Sequence, residues 1–286
     1  MAVGVSKGIA PVAEKARPTW VAHWPEAIAI GVLVAVAGFV LLHLNAAPMT
    51  EVELSGYATS LRGRTASQRH NARKAAASLN GVKIAPHGVF SFNRTVKSWS
   101  FDQGYVKAPV SYDGELVKAY GGGVCQTSTT LYNAALLAGL PIVERHAHVF
   151  APHYVRPGQD AAVAQRNVDL RFQNPYPWPI RLKASASGDR LDIRILGAER
   201  SRSTVQVTDE VLSTITPQRL TRVVYPPEAR SRRAFVRNPG AVGYRVVTYR
   251  IFSSGGKETR RERLSDDSYE AMNRVVQLNE DEVTAH

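Results

Sequence analysis

The sequence predicts an α+β fold: a mixed α/β catalytic-type domain with a buried central helix after a glycine-rich turn, a small β-rich C-terminal appendage and one N-terminal transmembrane helix. An uncharged apolar run covers 27–44, helical spacing of small apolar residues recurs in 66–80 and 128–138, and strand-like alternation dominates after Pro141. With 286 residues the chain has room for one or two domains and needs no disulfide staples. Its 44% hydrophobic and 21% charged residues exclude a wholly disordered chain.

From the N-terminus, AIAIGVLVAVAGFVLLHL (27–44) would make about 27 Å of helix, enough to span a lipid bilayer. Trp20 and Trp24 precede it at interface depth, and Lys7, Lys15 and Arg17 assign residues 1–26 to the cytoplasm. The expected location is therefore the cell membrane, single-pass, with the main domain extracytoplasmic. A cleaved signal peptide is the rival, since Ala46 and Ala47 follow the run, although Pro48 disfavours cutting. Residues 51–198 form the expected central domain. Within it, ASQRHNARKAAASLN (66–80) is an amphipathic helix, capped at Thr65 or Ser67 and stopped by Gly81. Val89 to Phe92 reads as a short strand, and 95–104 lacks periodicity. Ser128 to Ala138 is apolar all round and predicts a buried central helix, ending at Gly139 with Pro141 beyond. IVERHAHVF (142–150), PIRLKAS (179–185) and LDIRILG (191–197) predict strands, the last two joined by a turn at Ser187, Gly188 and Asp189. Residues 199–278 are expected to be all strand, with a hairpin around Gly255 and Gly256, and 279–286 an acidic tail.

The chain carries 36 Lys+Arg against 24 Asp+Glu, a net +12, and the segment 51–198 holds 18 basic and 10 acidic residues. A polyanionic partner suits that surplus. The export signal turns the expectation toward an acidic wall polymer or anionic lipid rather than nucleic acid, and no phosphate-binding GKS or GKT loop occurs.

Chemistry concentrates in AYGGGVCQTSTTLYNAALLAG (119–139). Gly121, Gly122 and Gly123 permit backbone geometry closed to other residues, and they lead through the chain's only cysteine, Cys125, to a helix start marked by Thr127 or Ser128. A sulfur near a helix N-terminus is stabilised as thiolate, and the free amides there can hold an oxyanion. The bland alternative is a buried cysteine packing beneath a turn. A thiol nucleophile needs a base and a group to orient it. His146, His148 and His153 lie nearby, with Asp160 and Asp169 as orienting carboxylates, and spacing does not choose among them. Arg145 and Arg171 are candidate clamps for an anionic peptide end. A zinc site on Cys125, His146 and His148 lacks a second sulfur or clear carboxylate, so no metal or cofactor is expected.

FSFN (90–93), GYVKAPV (104–110), GGGVCQTSTTLYNAALLAGL (121–140), ERHAH (144–148), YVRPGQDAAV (154–163) and DLRFQN (169–174) together resemble the VanW domain, over about Gly56 to Gly197. The tail is similar to a G5-type module. Members of this family are bacterial envelope proteins, and some are reported to be L,D-transpeptidases that form 3-3 cross-links in peptidoglycan through a cysteine. The resemblance implies Cys125 as nucleophile and His148 as base, with Asp160 or Asp169 orienting it. Substrate contacts are expected from Gly121, Gly122, Gly123, Gln126, Ser128, Thr129, Tyr132 and Arg145, and the resemblance implies peptidoglycan stem peptides as partners. Val149 stands where the family commonly has Ser after the histidine. The alternatives are a non-catalytic module that binds cell-wall peptides or glycopeptides, and a thiol-dependent peptidoglycan peptidase.

Overall fold

The computed structural model describes residues 28, 29, 31–33, 50–112, 115–165, 167–201, 203–224 and 235–279. The expected membrane-spanning run 27–44 and the acidic tail lie almost wholly outside them. Among the described residues no helix is long and apolar enough to cross a membrane.

The expected α+β class is corrected: the molecule is mostly sheet, 45% strand against 18% helix. Its central layer is an antiparallel sheet of β1 (Val52–Ser60), β2 (Lys83–Ile84), β8 (Ile180–Ser187) and β9 (Arg190–Gly197), in the order β1-β9-β8-β2. Period-two alternation turns Ile180, Leu182 and Ala184 of β8, and Leu191, Ile193 and Ile195 of β9, into the core. Two helices cover that face, α1 (Ala66–Leu79) and α3 (Val124–Leu137). Thr65 and Gln68 close a reciprocal capping box at the start of α1, and Ala72, Ala75, Ala76 and Leu79 supply its buried stripe. The small alanines let α1 lie close to the sheet and to α3.

A second sheet joins β3 (Val89–Ser91), β6 (Ile142–Glu144) and β7 (Arg171–Gln173) in the order β3-β7-β6, and Phe90 stacks on Phe172 across it at 4.7 Å. Phe92 does not prolong β3; it opens the short helix α2 (Phe92–Val96), which Ser91 caps. β4 (Lys107–Tyr112) and β5 (Glu115–Tyr120) form a separate hairpin. C-terminal to β9, β10 (Thr204–Ile215), β13 (Gly243–Ser254) and β14 (Lys257–Tyr269) pair antiparallel, and β11 (Arg219–Val224), β12 (Phe235–Asn238) and β15 (Arg274–Asn279) form a further sheet. All of these belong to one unit, Glu51–His286.

The excess of sheet over expectation has local causes. In β1, Ser55 and Gly56 interrupt the apolar alternation, and a bulge between Glu53 and Ser55 breaks its pairing register. The β4–β5 hairpin pairs Lys107 through Tyr112 with no second partner strand, so its sequence needs no apolar face and can hold Pro109. The expected strand 142–150 stops at Glu144, because the next residues give their hydrogen bonds elsewhere: His146 keeps one bridge, to Ala162, and the His148 amide goes to the Asp160 side chain.

Candidate active site

The central helix α3 starts four residues before the expected Ser128. Its N-cap is Gly123, at φ 104°, and no side chain caps it. A β-carbon there would sit 2.3 Å from the Gln68 carbonyl oxygen, so the turn tolerates glycine alone. Cys125 thereby occupies the first turn of the helix and not the loop before it. The Val124 amide returns to Gly121, and the Cys125 and Gln126 amides, in the first turn, have no carbonyl four residues back within the helix.

The half-buried Cys125 thiol donates to the Val163 carbonyl at 3.4 Å and lies close enough to His148 for the two to act on each other electrostatically. The His148 Nδ1 meets Asp160 Oδ2 at 2.5 Å, and its backbone N–H donates to the same oxygen at 2.8 Å. The other oxygen, Oδ1, accepts from Arg145 Nη2 at 2.9 Å and from the Tyr269 hydroxyl. Cys125, His148 and Asp160 thus form a nucleophile–base–orienter chain.

The electrostatics favour separated charge. Burial pushes the Cys125 thiol up, but the hydrogen bond and positive charge of His148 outweigh it and hold the thiol below its usual range. Burial would lower His148, yet its hydrogen bonds to Asp160 and Cys125 raise it to about 10. Burial would raise Asp160, but the His148 hydrogen bond and the Arg145 charge keep its carboxyl below the ordinary carboxylate range. Both shifts favour the thiolate–imidazolium form over the neutral pair.

The sulfur borders a cleft of about 720 Å³. Gly121, Gly122, Gly123, Gln126 and His148 line it beside Cys125, and Asn238–Ala241, Met272 and Val275 line it from the C-terminal part of the chain. His153 also lines it, while the other sequence candidates lie elsewhere. Ser128 is buried and donates to the Ala161 carbonyl at 2.6 Å; Thr129 is buried and accepts from the Ala161 amide at 3.0 Å. Tyr132 lies buried under the Arg145 guanidinium, 5.6 Å from it. Arg145 is a buried strut between Asp160 and Asp267, with 7% of its side chain exposed, and not a clamp on solvent-borne anions. Asp169 is apart from the histidine: it accepts from Ser91 Oγ and the Asn93 amide, tying down the start of α2. His146 pairs with Glu144 at 3.0 Å.

Three residues escaped the sequence reading. Arg64, in the loop before α1, and Tyr154 line the cleft, and the Arg64 guanidinium lies 4.9 Å over the Tyr154 ring. Tyr154 stands in the quoted YVRPGQDAAV block, so a signal was present; Arg64 had none. Tyr269, at the end of β14, holds both Asp160 and the Gly158 amide, 109 and 111 residues away.

Among the described residues no group of His, Cys, Asp and Glu is placed to hold a metal ion. Residues 67–196 match the family model described as VanW like protein. Over 147 residues, 51% of the chain, it is 37% identical to "Uncharacterized protein YoaR" of Bacillus subtilis (strain 168), covering 48% of that protein. Over 110 residues, 36% of the chain, it is 34% identical to "Vancomycin B-type resistance protein VanW" of Enterococcus faecalis (strain ATCC 700802 / V583), covering 40% of it. The chain thus spans less than half the length of these relatives. Two solved G5 domains, of HP0197 and of an IgA1 protease, align with 27% and 29% of the chain at 18% and 23% identity, but TM-scores of 0.14 and 0.17 carry no argument. The chain therefore carries a VanW-like domain, over residues 67–196.

Proposed function

We propose that this chain is a cell-envelope protein whose main domain works outside the cytoplasm as a cysteine acyltransferase on peptidoglycan stem peptides, an L,D-transpeptidase that makes 3-3 cross-links. The observation that carries this is the Cys125–His148–Asp160 chain at the edge of an open cleft. The Cys125 thiolate attacks the carbonyl of the third residue of a tetrapeptide stem, and the oxyanion lies against the Cys125 and Gln126 amides in the first turn of α3. On collapse, the C–N bond to the fourth residue breaks and His148 delivers a proton to the leaving amine. The amine of a second stem then attacks the thioester, passes a proton back to His148, and releases the thiolate with the new amide bond formed. Asp160 holds the imidazole by its Nδ1 throughout, so that Nε2 faces the sulfur.

The test is to incubate the purified full-length chain with a disaccharide tetrapeptide and follow it by mass spectrometry. A thioester adduct on the protein and cross-linked dimers are expected, and Cys125→Ala should abolish both. Binding of muropeptides without adduct or product would make the chain a binding module, and cleaved monomers without dimers would make it a peptidase.

A further inference from the structure

The cleft holds an arginine whose charge is not matched by any acid among the described residues. Three arginines of the same domain are already committed: Arg145 to Asp160 and Asp267, Arg156 to Asp209 at 3.0 Å, and Arg171 to Glu144 at 3.5 Å. Arg64 forms no ion pair among the described residues, although it is half-buried. Its Nε donates to Gln126 Oε1 at 3.0 Å, and its flat face covers the Tyr154 ring. Gln126 is itself immobile, because its Nε2 is held by Thr59 Oγ1 at 3.0 Å and the Ser60 carbonyl at 2.8 Å. The guanidinium is thus fixed by two supports while Nη1 and Nη2 make no hydrogen bond to the described protein. A fork of two parallel N–H donors, partly stripped of water, is the shape that binds a carboxylate. Its partner Gln126 follows Cys125 directly in the chain, and Arg64 and Cys125 line the same cleft.

We infer that Arg64 is a subsite for the free terminal carboxylate of the peptide whose carbonyl Cys125 attacks. This rests on the acyl-transfer function proposed above and deepens it. The donor substrate must then end one residue beyond the scissile bond, because each further residue would move the carboxylate by about 3.3–3.6 Å along the cleft. Role and place belong to Arg64, not to the paired Arg145 or Arg171.

Binding separates this inference from the chemistry. In the full-length Cys125→Ala protein, titration calorimetry compares a disaccharide tetrapeptide bearing a free terminal carboxylate with its terminal carboxamide. The acid is expected to bind about 10- to 100-fold more tightly, the range of a charge-assisted hydrogen-bonded pair. Adding Arg64→Gln should erase that preference, with carboxamide binding still measurable as the report of an intact cleft; Arg64→Lys should keep part of it. Equal affinity of the two ligands for Cys125→Ala, or an acid preference that survives Arg64→Gln, overturns the inference, and the first comparison needs no Arg64 variant to fold. Failure of the acyl-transfer function would appear elsewhere, as the absence of a thioester on the wild-type protein.

Discussion

Asp160 is fully buried yet keeps its charge, because four donors converge on it: the ring and the amide of His148, Arg145 and the Tyr269 hydroxyl. A buried carboxylate with that many partners stays ionised well below its free pKa. Asp160→Asn should therefore destabilise the protein by about 3–5 kcal/mol, the range for breaking a buried charge network, as read by denaturant unfolding at neutral pH. The sign with pH follows from the depressed carboxyl: its contribution is present above the unfolded value near 4 and is lost as pH falls through the folded one. The gap between wild type and Asp160→Asn should accordingly narrow in acid, and a gap that stays constant would mean the charge is not what matters. In the sequence Asp160 and Asp169 were equivalent, and only the side-chain partners, Ser91 and the Asn93 amide for Asp169, tell them apart. Cys125 was singled out by the glycines and hydroxyls around it, whereas spacing left His146, His148 and His153 open and only the family resemblance pointed to His148. Arg64 was not legible, since nothing in its neighbours foretells a cleft closed from 60 residues further on.

At the level of elements, the β13–β14 hairpin does more than append to the domain. The last residue of β14 supplies the hydroxyl that donates to Asp160 and accepts from the Gly158 amide at 2.8 Å, and Asp267 on the same strand holds Arg145 at 2.6 Å. Arg250 of β13 donates to the Leu140 carbonyl at the end of α3. The loop bearing His148 and Asp160 is thus fastened from both sides. Tyr269→Phe leaves a buried amide unpaired and should cost about 1–3 kcal/mol in unfolding free energy, with slower thiol alkylation because His148 is less well held. Unchanged stability and alkylation would remove β14 from the site. α1, β8 and β9 were legible, since buried stripes at 3.6 and 2.0 spacing leave a pattern in the sequence. β1 and the β4–β5 hairpin were not: a bulge blurs the first, and the second pairs only with itself. The start of α3 was misread because Thr127 and Ser128 resemble caps, whereas their hydroxyls point inward to the Ala72 and Ala161 carbonyls.

Across the whole molecule, sheet and cleft wall come from stretches that sequence patterns treat as separate. Strand content was underestimated because edge strands and self-paired hairpins need no apolar face, and periodicity sees only faces that are buried. The site is likewise a product of chain ends brought together: α3 brings the sulfur, the 145–160 loop its base, and residues 238–241 the opposite wall. What unites them is the ionised state of one sulfur, and because the chain has a single cysteine, the mass of the intact protein reports that group alone. The direct measurement is the rate of iodoacetamide alkylation of the wild-type chain against pH. The rate should rise and level off at lower pH than for a free thiol, because the charge of His148 favours the thiolate. A rate that climbs only near pH 8.5, as for a free thiol, or a sulfur that does not react at all, would contradict the thiolate–imidazolium pair and the acyl transfer built on it.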